Sequence, residues 1–343
     1  MQNEITKRTL LLDKRGRIAQ SGWSRRMNYV YNRERAHINP VNLKEWNFYQ
    51  FIKDHIVVQL TIGHLSYAHN AAVTVLDLDT GKRLLDWSVI RPLRGPRLDD
   101  SPEWPGSIAF SGGSDPRYQL RFRVTKKKRY LDFAPVSRPG ELTCDAPELH
   151  LELENDPGNE KMVIATPFAE SPYKFYLNCK ENFYHVEGSI LWGRPGGIDL
   201  NGATGVLDWG RGIWPYRHEW WWGNLSARVD GADFGFNLGW GFGDLSRATE
   251  NVYFYKRKAY KLGTLQVERK GGYMGPWHIK DDAGKIELHF HPIYDNYTER
   301  KLAVVDTSCH QVFGLFDGWA ETEDGQIEFC NLLSFIEHAV NRW

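Results

Sequence analysis

The sequence predicts an all-β protein, and two observations lead to that prediction. Aromatic residues make up 14% of the 343 residues and are accompanied by 32 glycines, a combination that favours strands and tight turns over helices. Short apolar runs, several alternating with polar residues, succeed one another along the chain and are separated by turn residues. Because helical segments do not alternate with these runs, we expect closed barrels or sandwiches rather than a parallel α/β sheet.

The first predicted element is a helix at 39–52, where Asn39 can cap the first turn, Pro40 suits it and apolar residues recur at helical intervals. The final EHAVNRW segment is compatible with a second, short helix. The other elements are strands. In chain order they are expected at 56–63, 72–81, 117–124 and 148–155, and then within FGFNLGW, NVYFYKRKAYKLGTLQV, KIELHFHP, KLAVV and QIEFCNLLSFI.

The length of the chain suits two domains of ordinary size. A boundary is expected within 170–182, because about 160 to 175 residues then lie on each side. We therefore predict an N-terminal β domain over 1–175, with a basic wrapping segment and the short helix, and a C-terminal β domain over 176–343 with a Trp-rich motif. No repeat aligns the halves, so two similar barrels are inferred from strand count and size.

Charge and composition exclude several kinds of partner. Lys+Arg and Asp+Glu both total 43, so a net charge of zero gives no reason to expect nucleic acid or an anionic membrane. No apolar run is long enough for a secretory signal or a membrane span, and we expect a cytoplasmic protein without an integral membrane segment. The four cysteines form no C-x-x-C pair and are predicted to be buried thiols. The sequence does not indicate an oligomeric state.

Common catalytic motifs are absent from the sequence. It contains no Walker loop, no G-x-S-x-G elbow, no H-E-x-x-H pair and no Rossmann fingerprint. The sequence therefore does not favour phosphoryl transfer, serine hydrolysis or hydride transfer as the activity. We expect no cofactor.

The segment DWGRGIWPYRHEWWWGNLSA, 208–227, concentrates five tryptophans among charged residues. If 219–229 is a strand, Trp220, Trp222 and Asn224 share one face, and Glu219 and Trp221 lie on the other. Aromatic walls with a few polar groups are typical of a ligand pocket, so we predict that Trp220 and Trp222 border a cavity. The alternative is that the indoles fill the core and stack on arginines.

Proton transfer is the chemistry that this segment could support. Asp208, Glu219 and His218 are the candidates, because a carboxyl group enclosed by indoles loses water and its pKa rises. Arg211 and Arg217 would orient the acid. Asp208 and Arg211 could equally form a structural ion pair, and His218 could lie on an exposed turn. The remaining predicted ligand-binding residues are Trp209, Trp214, Tyr216, Asn251, Trp277 and His278.

Two further segments have an ordinary structural explanation. Glu287, His289 and His291 share one strand face in IELHFHP, and the two histidines could bind a metal if a third ligand came from elsewhere. An outward polar face explains them more simply, and we predict no metal. Glu250 and Asn251 precede an aromatic strand, where a buried Asn that anchors a loop is the alternative to ligand binding.

Several segments resemble the bacterial family catalogued as domain of unknown function 2804. They are LDWGRGIWPYRHEWWWG, GFNLGWGFGD, TENVYFYKRKAYKLG, GPWHI, HQVFGLFDG and the terminal NRW, with VNLKEWNFYQF near the start. More remotely, the pattern is similar to two-barrel, lipocalin-like proteins that include carotenoid hydratases, tocopherol cyclase and Diels–Alderases. The resemblance implies paired lipocalin-like, calycin-type barrels with an apolar ligand site, and cofactor-free water addition or cyclisation. It carries no catalytic residues over.

Our leading hypothesis is a cofactor-independent lyase or isomerase, of hydratase or cyclase type, acting on an apolar isoprenoid or polyketide. Asp208 or Glu219 would donate a proton, and Trp209, Trp220 and Trp222 would form the pocket wall. A non-enzymatic carrier of lipids or other apolar small molecules is one alternative. A carbohydrate-active β protein is another, because Trp platforms with paired carboxylates also suit sugars.

Overall fold

The computed structural model describes residues 2–39, 41–114, 117–136, 146–192, 197–302 and 305–342. No helix within these ranges is long and apolar enough to span a membrane. A 3₁₀ helix covers Arg33–Arg35. The strands are β1 (Thr9–Leu10), β2 (Gly22–Ser24), β3 (Tyr29–Val30), β4 (Leu43–Lys53), β5 (Ile56–His64), β6 (Ala68–Asp77), β7 (Lys82–Pro92), β8 (Gly106–Gly112), β9 (Tyr118–Val124), β10 (Lys128–Pro135), β11 (Pro147–Glu154), β12 (Met162–Phe168), β13 (Ser171–Trp192), β14 (Ile198–Asp199), β15 (Thr204–Ile213), β16 (Arg217–Val229), β17 (Ala232–Trp240), β18 (Val252–Tyr255), β19 (Lys258–Lys261), β20 (Leu265–Arg269), β21 (Trp277–Asp281), β22 (Ile286–Leu302), β23 (Val305–Thr322) and β24 (Gly325–Arg342).

The first sheet is a nearly closed barrel whose main path runs β7-β6-β5-β4-β15-β13-β11-β10-β9-β8. Off this path, β12 pairs with β13 and β2, and β14 pairs with β13. Side chains alternate between the two faces of each strand, and one face fills the barrel. The buried apolar cluster inside it includes Phe51, Val58, Leu60, Phe122 and Leu177. The prediction of an all-β, barrel-like fold is therefore confirmed.

The long strand β13 serves two parts of the first sheet. Its first half pairs with β12 and β15, and its second half pairs with β11 and β14. The pairing register with β15 shifts between Glu181 and Tyr184, and Phe183 between them has a φ of 66°. A bulge bends its strand and increases the local twist. The shift therefore allows one strand to turn a corner of the barrel.

The second sheet forms a half-barrel in the order β19-β18-β17-β16-β24-β23-β22-β21-β20. Its concave face holds a separate apolar cluster that includes Leu225, Phe236, Ile279, Phe290 and Phe316. Part of the opposite face packs against the first sheet, where Trp222 and Phe335 join Val57 and Val206 in one cluster. The two sheets are thus in direct contact.

The chain passes from the first sheet to the second at residues 214–216. β15 still pairs within the first sheet, and β16 is the first strand of the second. β13, which contains the expected boundary region except for residue 170, lies inside the first sheet. The N-terminal segment also reaches the second half of the chain, since the Asn3 amide donates to the Arg247 carbonyl at 2.8 Å.

Both helices expected from the sequence are wrong, because strands occupy those segments. β4 pairs along its length with β5 and β15, and the EHAVN segment lies in β24, between β16 and β23. The Asn39 side chain accepts a hydrogen bond from the Val41 amide in a turn, and Pro40 lies outside the described residues. β4 buries residues on both faces, one in the barrel and one toward the second sheet, and such a run imitates helical spacing.

The described cysteines are free thiols in three different environments. Cys179 is buried, Cys309 is half-buried and Cys330 is exposed, whereas Cys144 lies outside the described residues. Burial raises the pKa of Cys179 to about 12. The prediction of a buried thiol is therefore wrong for Cys330.

Candidate active site between the two sheets

A cavity of about 240 Å³ lies between the two sheets. Strands β4, β5, β6, β13 and β15 supply one wall, and β16, β24 and the loops after β15 and β17 supply the other. Its aromatic lining residues are Trp46, Phe48, Tyr176, Trp214, Trp220, Trp222 and Phe242. Its polar lining residues are Glu45, Thr61, Asn70, Lys180, Asp208, Glu250 and Glu337. Aromatic walls around a few polar groups are typical of small-molecule sites.

The Trp-rich strand β16 sends successive tryptophans to opposite faces of the second sheet. Trp220 and Trp222 line the cavity. Trp221 points into the half-barrel, where its ring lies parallel to that of Trp240 with centroids 5.7 Å apart. The period-two alternation of a strand therefore places two indoles beside hollow space, as expected from the sequence.

Asp208 faces the cavity from β15 as one member of an ion pair. Its Oδ2 is 2.8 Å from Nζ of Lys180, and its Oδ1 accepts a hydrogen bond of 2.6 Å from Asn178. The Lys180 ammonium also lies 3.8 Å from the ring centroid of Trp222. One indole face therefore already carries a cation, and both Asp208 oxygens have protein partners.

Glu250 is a lining carboxyl group whose burial is only partly compensated. It is 1% exposed, and burial is the main cause that raises its pKa above the usual value. The charge of Lys180 and hydrogen bonds from Tyr176 and Asn237 oppose this shift without cancelling it. Its Oε1 has no hydrogen-bond partner among the residues that the structure describes. Burial therefore shifts the protonation equilibrium of Glu250 toward the neutral form, which can donate a proton.

Glu337 of β24 is a second carboxyl group of this kind. Burial raises its pKa, although a hydrogen bond of 2.8 Å from the Trp220 indole to its Oε1 acts in the opposite direction. Its Oε2 lies 3.4 Å from the side-chain nitrogen of Gln311. Glu337 therefore differs from Glu250 because protein groups contact both of its oxygens, and one contact fixes the orientation of Trp220.

His218 supports the cavity wall from outside. Its ring is stacked on Trp220 with centroids 5.6 Å apart, and its Nδ1 lies 2.9 Å from the Pro215 carbonyl oxygen. Burial lowers the pKa of His218 to about 4. The imidazole is consequently neutral near pH 7, and it is not one of the lining residues.

Arg211 and Trp209 lie on the other face of β15 from Asp208, inside the first barrel. Arg211 pairs with Asp99, 2.9 Å away, and the Trp209 indole donates to the same carboxylate at 2.5 Å. The expected ion pair between Arg211 and Asp208 is absent from the described residues, and the reason is strand alternation. Neither residue enters the site that we propose.

Three other predicted residues lie at the surface near the start of β16. The Glu219 side chain is 56% exposed, and its Oε2 is 3.7 Å from Nε2 of His338. Arg217 and Tyr216 are also exposed. None of the three lines the cavity. Glu219 therefore lacks the enclosure by indoles that made it a candidate acid.

Two predicted asparagines have structural hydrogen bonds. The amide of Asn224 is bonded to the side chains of Asn182 and Asn237. Asn251 accepts a hydrogen bond from the Gly239 amide and donates one to the Gly263 carbonyl, both at 2.9 Å. These contacts match the alternative explanation for Asn251, which is a buried residue that anchors a loop.

Trp277 and His278 lie away from the cavity on β21. Trp277 is buried in the apolar cluster of the half-barrel, and His278 is on the opposite face, where its Nε2 lies 2.6 Å from Glu287. Of the residues predicted for the site, those that line the cavity are Asp208, Trp214, Trp220 and Trp222.

The sequence reasoning missed Lys180, Tyr176 and Glu337. Glu337 is a charged group in a largely apolar strand segment, SFIEHAV, whereas Lys180 lies among other polar residues in LNCKENF. Such interruptions are a usable signal, because a charged residue is seldom fully buried without a partner or a function. The pattern of one strand, however, does not reveal which strands face each other across a cavity.

Comparison with known proteins places the fold among solved structures of low sequence similarity. Kievitone hydratase from Nectria haematococca has a TM-score of 0.52 and 11% identity, and 98% of each chain is covered. CghA has a TM-score of 0.52 and 10% identity, with 89% of each chain covered. At this identity the likeness concerns the fold alone. No curated protein matches the sequence significantly.

The family assignment comes from the sequence itself. A model described as "Domain of unknown function (DUF2804)" matches residues 2–343. The resemblance found in the Trp-rich segment and its neighbours is thereby confirmed. Since the match extends over nearly the whole chain, the protein belongs to the DUF2804 family.

Proposed function

We propose that the protein is a cofactor-independent lyase or isomerase of hydratase or cyclase type, and that an apolar small molecule reacts in the cavity between the sheets. The observation that carries the proposal is the pairing of aromatic walls with two carboxyl groups, the buried Glu250 and the half-buried Glu337, whose pKa values are raised. The name of kievitone hydratase, a structural neighbour of similar fold, agrees with this reaction class.

Glu250 is the proposed proton donor. In its neutral form the carboxyl group can protonate a carbon–carbon double bond or a carbonyl oxygen, because its Oε1 is not engaged by a described protein group. The Tyr176 hydroxyl bonded to Glu250 would hold the carboxyl group in position. After transfer, the new carboxylate would be stabilised by Lys180, whose charge already acts on Glu250.

Asp208 and Lys180 supply the fixed charges of the proposed site. Their ion pair keeps a carboxylate beside the cavity, where it can accept a proton from water or from a substrate intermediate. A cation that develops on the substrate would be stabilised best by Trp214 and Trp220, since the Lys180 ammonium already occupies one face of Trp222.

The test is turnover by Glu250→Gln. Purified wild-type protein is incubated in ¹⁸O-labelled water with kievitone and a panel of prenylated phenols and polyenes, and products are analysed by mass spectrometry. Hydration adds one labelled water, and cyclisation changes retention without changing mass. We expect Glu250→Gln to lower kcat by about 10²- to 10⁴-fold, the usual contribution of a general acid, with little change in substrate affinity.

The matched control is Glu219→Gln, which removes an exposed carboxylate from the same region. It should leave turnover unchanged. Equal activity of the wild type and Glu250→Gln would contradict the assignment of the acid. A co-purified ligand seen by native mass spectrometry, bound tightly and released unchanged by the wild type, would favour the carrier alternative.

A further inference from the structure

Two imidazoles and a carboxylate meet on the outer face of the second sheet, on strands that do not line the cavity. His278 belongs to β21, and Glu287 and His289 belong to β22. Nε2 of His278 is 2.6 Å from Oε1 of Glu287, and Nε2 of His289 is 3.9 Å from the same oxygen. One potential ligand atom from each residue lies within 4.8 Å of the other two.

Strand pairing produces this arrangement. His278 lies directly opposite His289 in the β21–β22 pair, and their rings are parallel with centroids 4.8 Å apart. Glu287 precedes His289 by two residues and therefore shares its face. The other face of both strands is anchored in the apolar cluster of the half-barrel through Trp277, Ile279, Leu288 and Phe290. A rigid backbone thus holds all three side chains on one surface.

We propose that His278, Glu287 and His289 form a binding site for a divalent transition metal ion such as Zn²⁺. Two imidazoles with one carboxylate are a common ligand set for this ion. Metal–ligand distances of about 2.0–2.2 Å in a tetrahedral site place ligand atoms about 3.3 Å apart. The separations of 2.6 and 3.9 Å lie on either side of that value, and the two parallel imidazole rings would have to tilt toward each other for their nitrogens to converge on one ion.

The surroundings of the three residues agree with an open site. Their side chains are 30%, 32% and 52% exposed, which leaves room for water to complete the coordination. The Trp319 side chain also forms a hydrogen bond with the Glu287 carboxylate. Hydrogen bonds of this type orient metal-binding carboxylates. His291 lies on the same face of β22 as Glu287 and His289. It pairs instead with Asp317 at 3.1 Å and is not one of the proposed ligands.

The test is calorimetric titration of untagged, chelator-treated protein with Zn²⁺, together with the visible spectrum of Co²⁺ added to the same protein. We expect one saturable ion per chain. His278→Ala and Glu287→Gln should each weaken Zn²⁺ binding by more than about 100-fold, because loss of a residue that only orients a ligand already costs about 10- to 100-fold. His291→Ala is the matched control and should bind Zn²⁺ like the wild type.

Thermal unfolding of chelator-treated protein with and without added Zn²⁺ distinguishes this role from a purely structural His–Glu hydrogen bond. We expect Zn²⁺ to raise the Tm of the wild type and of His291→Ala, and to leave the Tm of folded His278→Ala unchanged. Equal Zn²⁺ affinity in all variants, or no saturable binding to the wild type, would overturn the proposal. Either result leaves the proposed reaction in the cavity unaffected, because β21 and β22 contribute no lining residue.

Discussion

Two buried glutamates, Glu181 in the first barrel and Glu250 at the cavity, show what makes a proton donor. Both are almost fully buried, at 3% and 1% exposure. Burial is the largest single influence on the pKa of each, yet the pKa of Glu181 is lowered and that of Glu250 is raised. Glu181 lies 3.1 Å from Lys161 and 3.5 Å from Arg129, and those two cations outweigh its burial.

Glu250 lacks such partners, since no ion pair involves it within the described part of the chain. Its burial is therefore only partly compensated, and the protonation equilibrium is shifted toward the neutral carboxyl group. The comparison shows that enclosure alone does not create an acid. The cations within ion-pair distance decide whether a buried carboxyl group is a structural anion or a proton source.

Glu181→Gln should have the largest effect on stability. It would leave Arg129 buried without its carboxylate, while Lys161 would keep only Glu103, 2.7 Å away, and breaking a buried ion pair in this way costs about 3–5 kcal/mol. Glu250→Gln should cost less than about 1 kcal/mol, because it breaks no ion pair among the described residues and an amide resembles the neutral form toward which burial shifts this group. Urea unfolding at neutral pH measures both, and equal losses would refute the distinction.

Gly239→Ala should disturb the environment of Glu250 directly. A Cβ atom at this position would lie 2.5 Å from Oε2 and 2.9 Å from Cβ of Glu250. We expect a loss of about 1–3 kcal/mol from overpacking, measured by urea unfolding. Gly223→Ala is the matched control in the neighbouring strand, where the nearest atom would be 3.6 Å away. A loss in the control as large as in Gly239→Ala would show that the space beside Glu250 is not special.

The pH dependence of stability should have opposite signs for the two residues. The pKa of Glu181 is lowered on folding, so its contribution is present above about 4.5 and is lost as pH falls through the folded-state value. The pKa of Glu250 is raised, so its contribution is present below about 4.5 and is lost as pH rises through the folded-state value. Each pKa unit corresponds to about 1.4 kcal/mol.

The measurement is the difference in unfolding free energy between the wild type and each Gln variant. For Glu250→Gln this difference should shift in favour of the variant as the pH rises from about 4 to about 8. For Glu181→Gln the disadvantage of the variant should shrink only in acid. Parallel pH profiles for the two variants would contradict the opposite pKa directions.

Glu219→Gln should have the smallest effect. The side chain is more than half exposed, and its contact with His338 is 3.7 Å long. Surface ion pairs of this kind contribute about 0–1 kcal/mol, so we expect a change within about 0.5 kcal/mol in urea unfolding. A loss of 2 kcal/mol, roughly the value for a buried group, would mean that exposure does not separate Glu219 from Glu250.

The sequence predicted strands well where the two faces of a strand have different surroundings. The alternation in β16 separated Trp220 and Trp222 from Trp221, and the structure has the same separation. It was a poor guide to β4, which buries both faces and so resembles a helical repeat. Local periodicity indicates which residues are buried, but it does not indicate whether the barrel interior or the other sheet buries them.

The candidate site was harder to predict for a geometric reason. Asp208 and Lys180 are cross-strand partners in β15 and β13, whereas Glu337 comes from the last strand of the chain. These residues meet only because the two sheets pack together. Arg211, which is close to Asp208 in the sequence, lies on the opposite face of the same strand. Proximity along the chain therefore suggested Arg211 as the ion-pair partner of Asp208, whereas the partner is Lys180.

The division of the cavity wall between the two sheets has a consequence for stability. A molecule that contacts Trp46 on β4 and Trp220 on β16 would act as a noncovalent cross-link between the two halves of the chain. Binding to the native state alone stabilises it by RT ln(1 + [L]/Kd), which is about 2.7 kcal/mol at a hundredfold excess over Kd. The occupied protein should therefore resist separation of its halves, and protection from proteolysis at residues 214–216 could report occupancy without any knowledge of the chemistry.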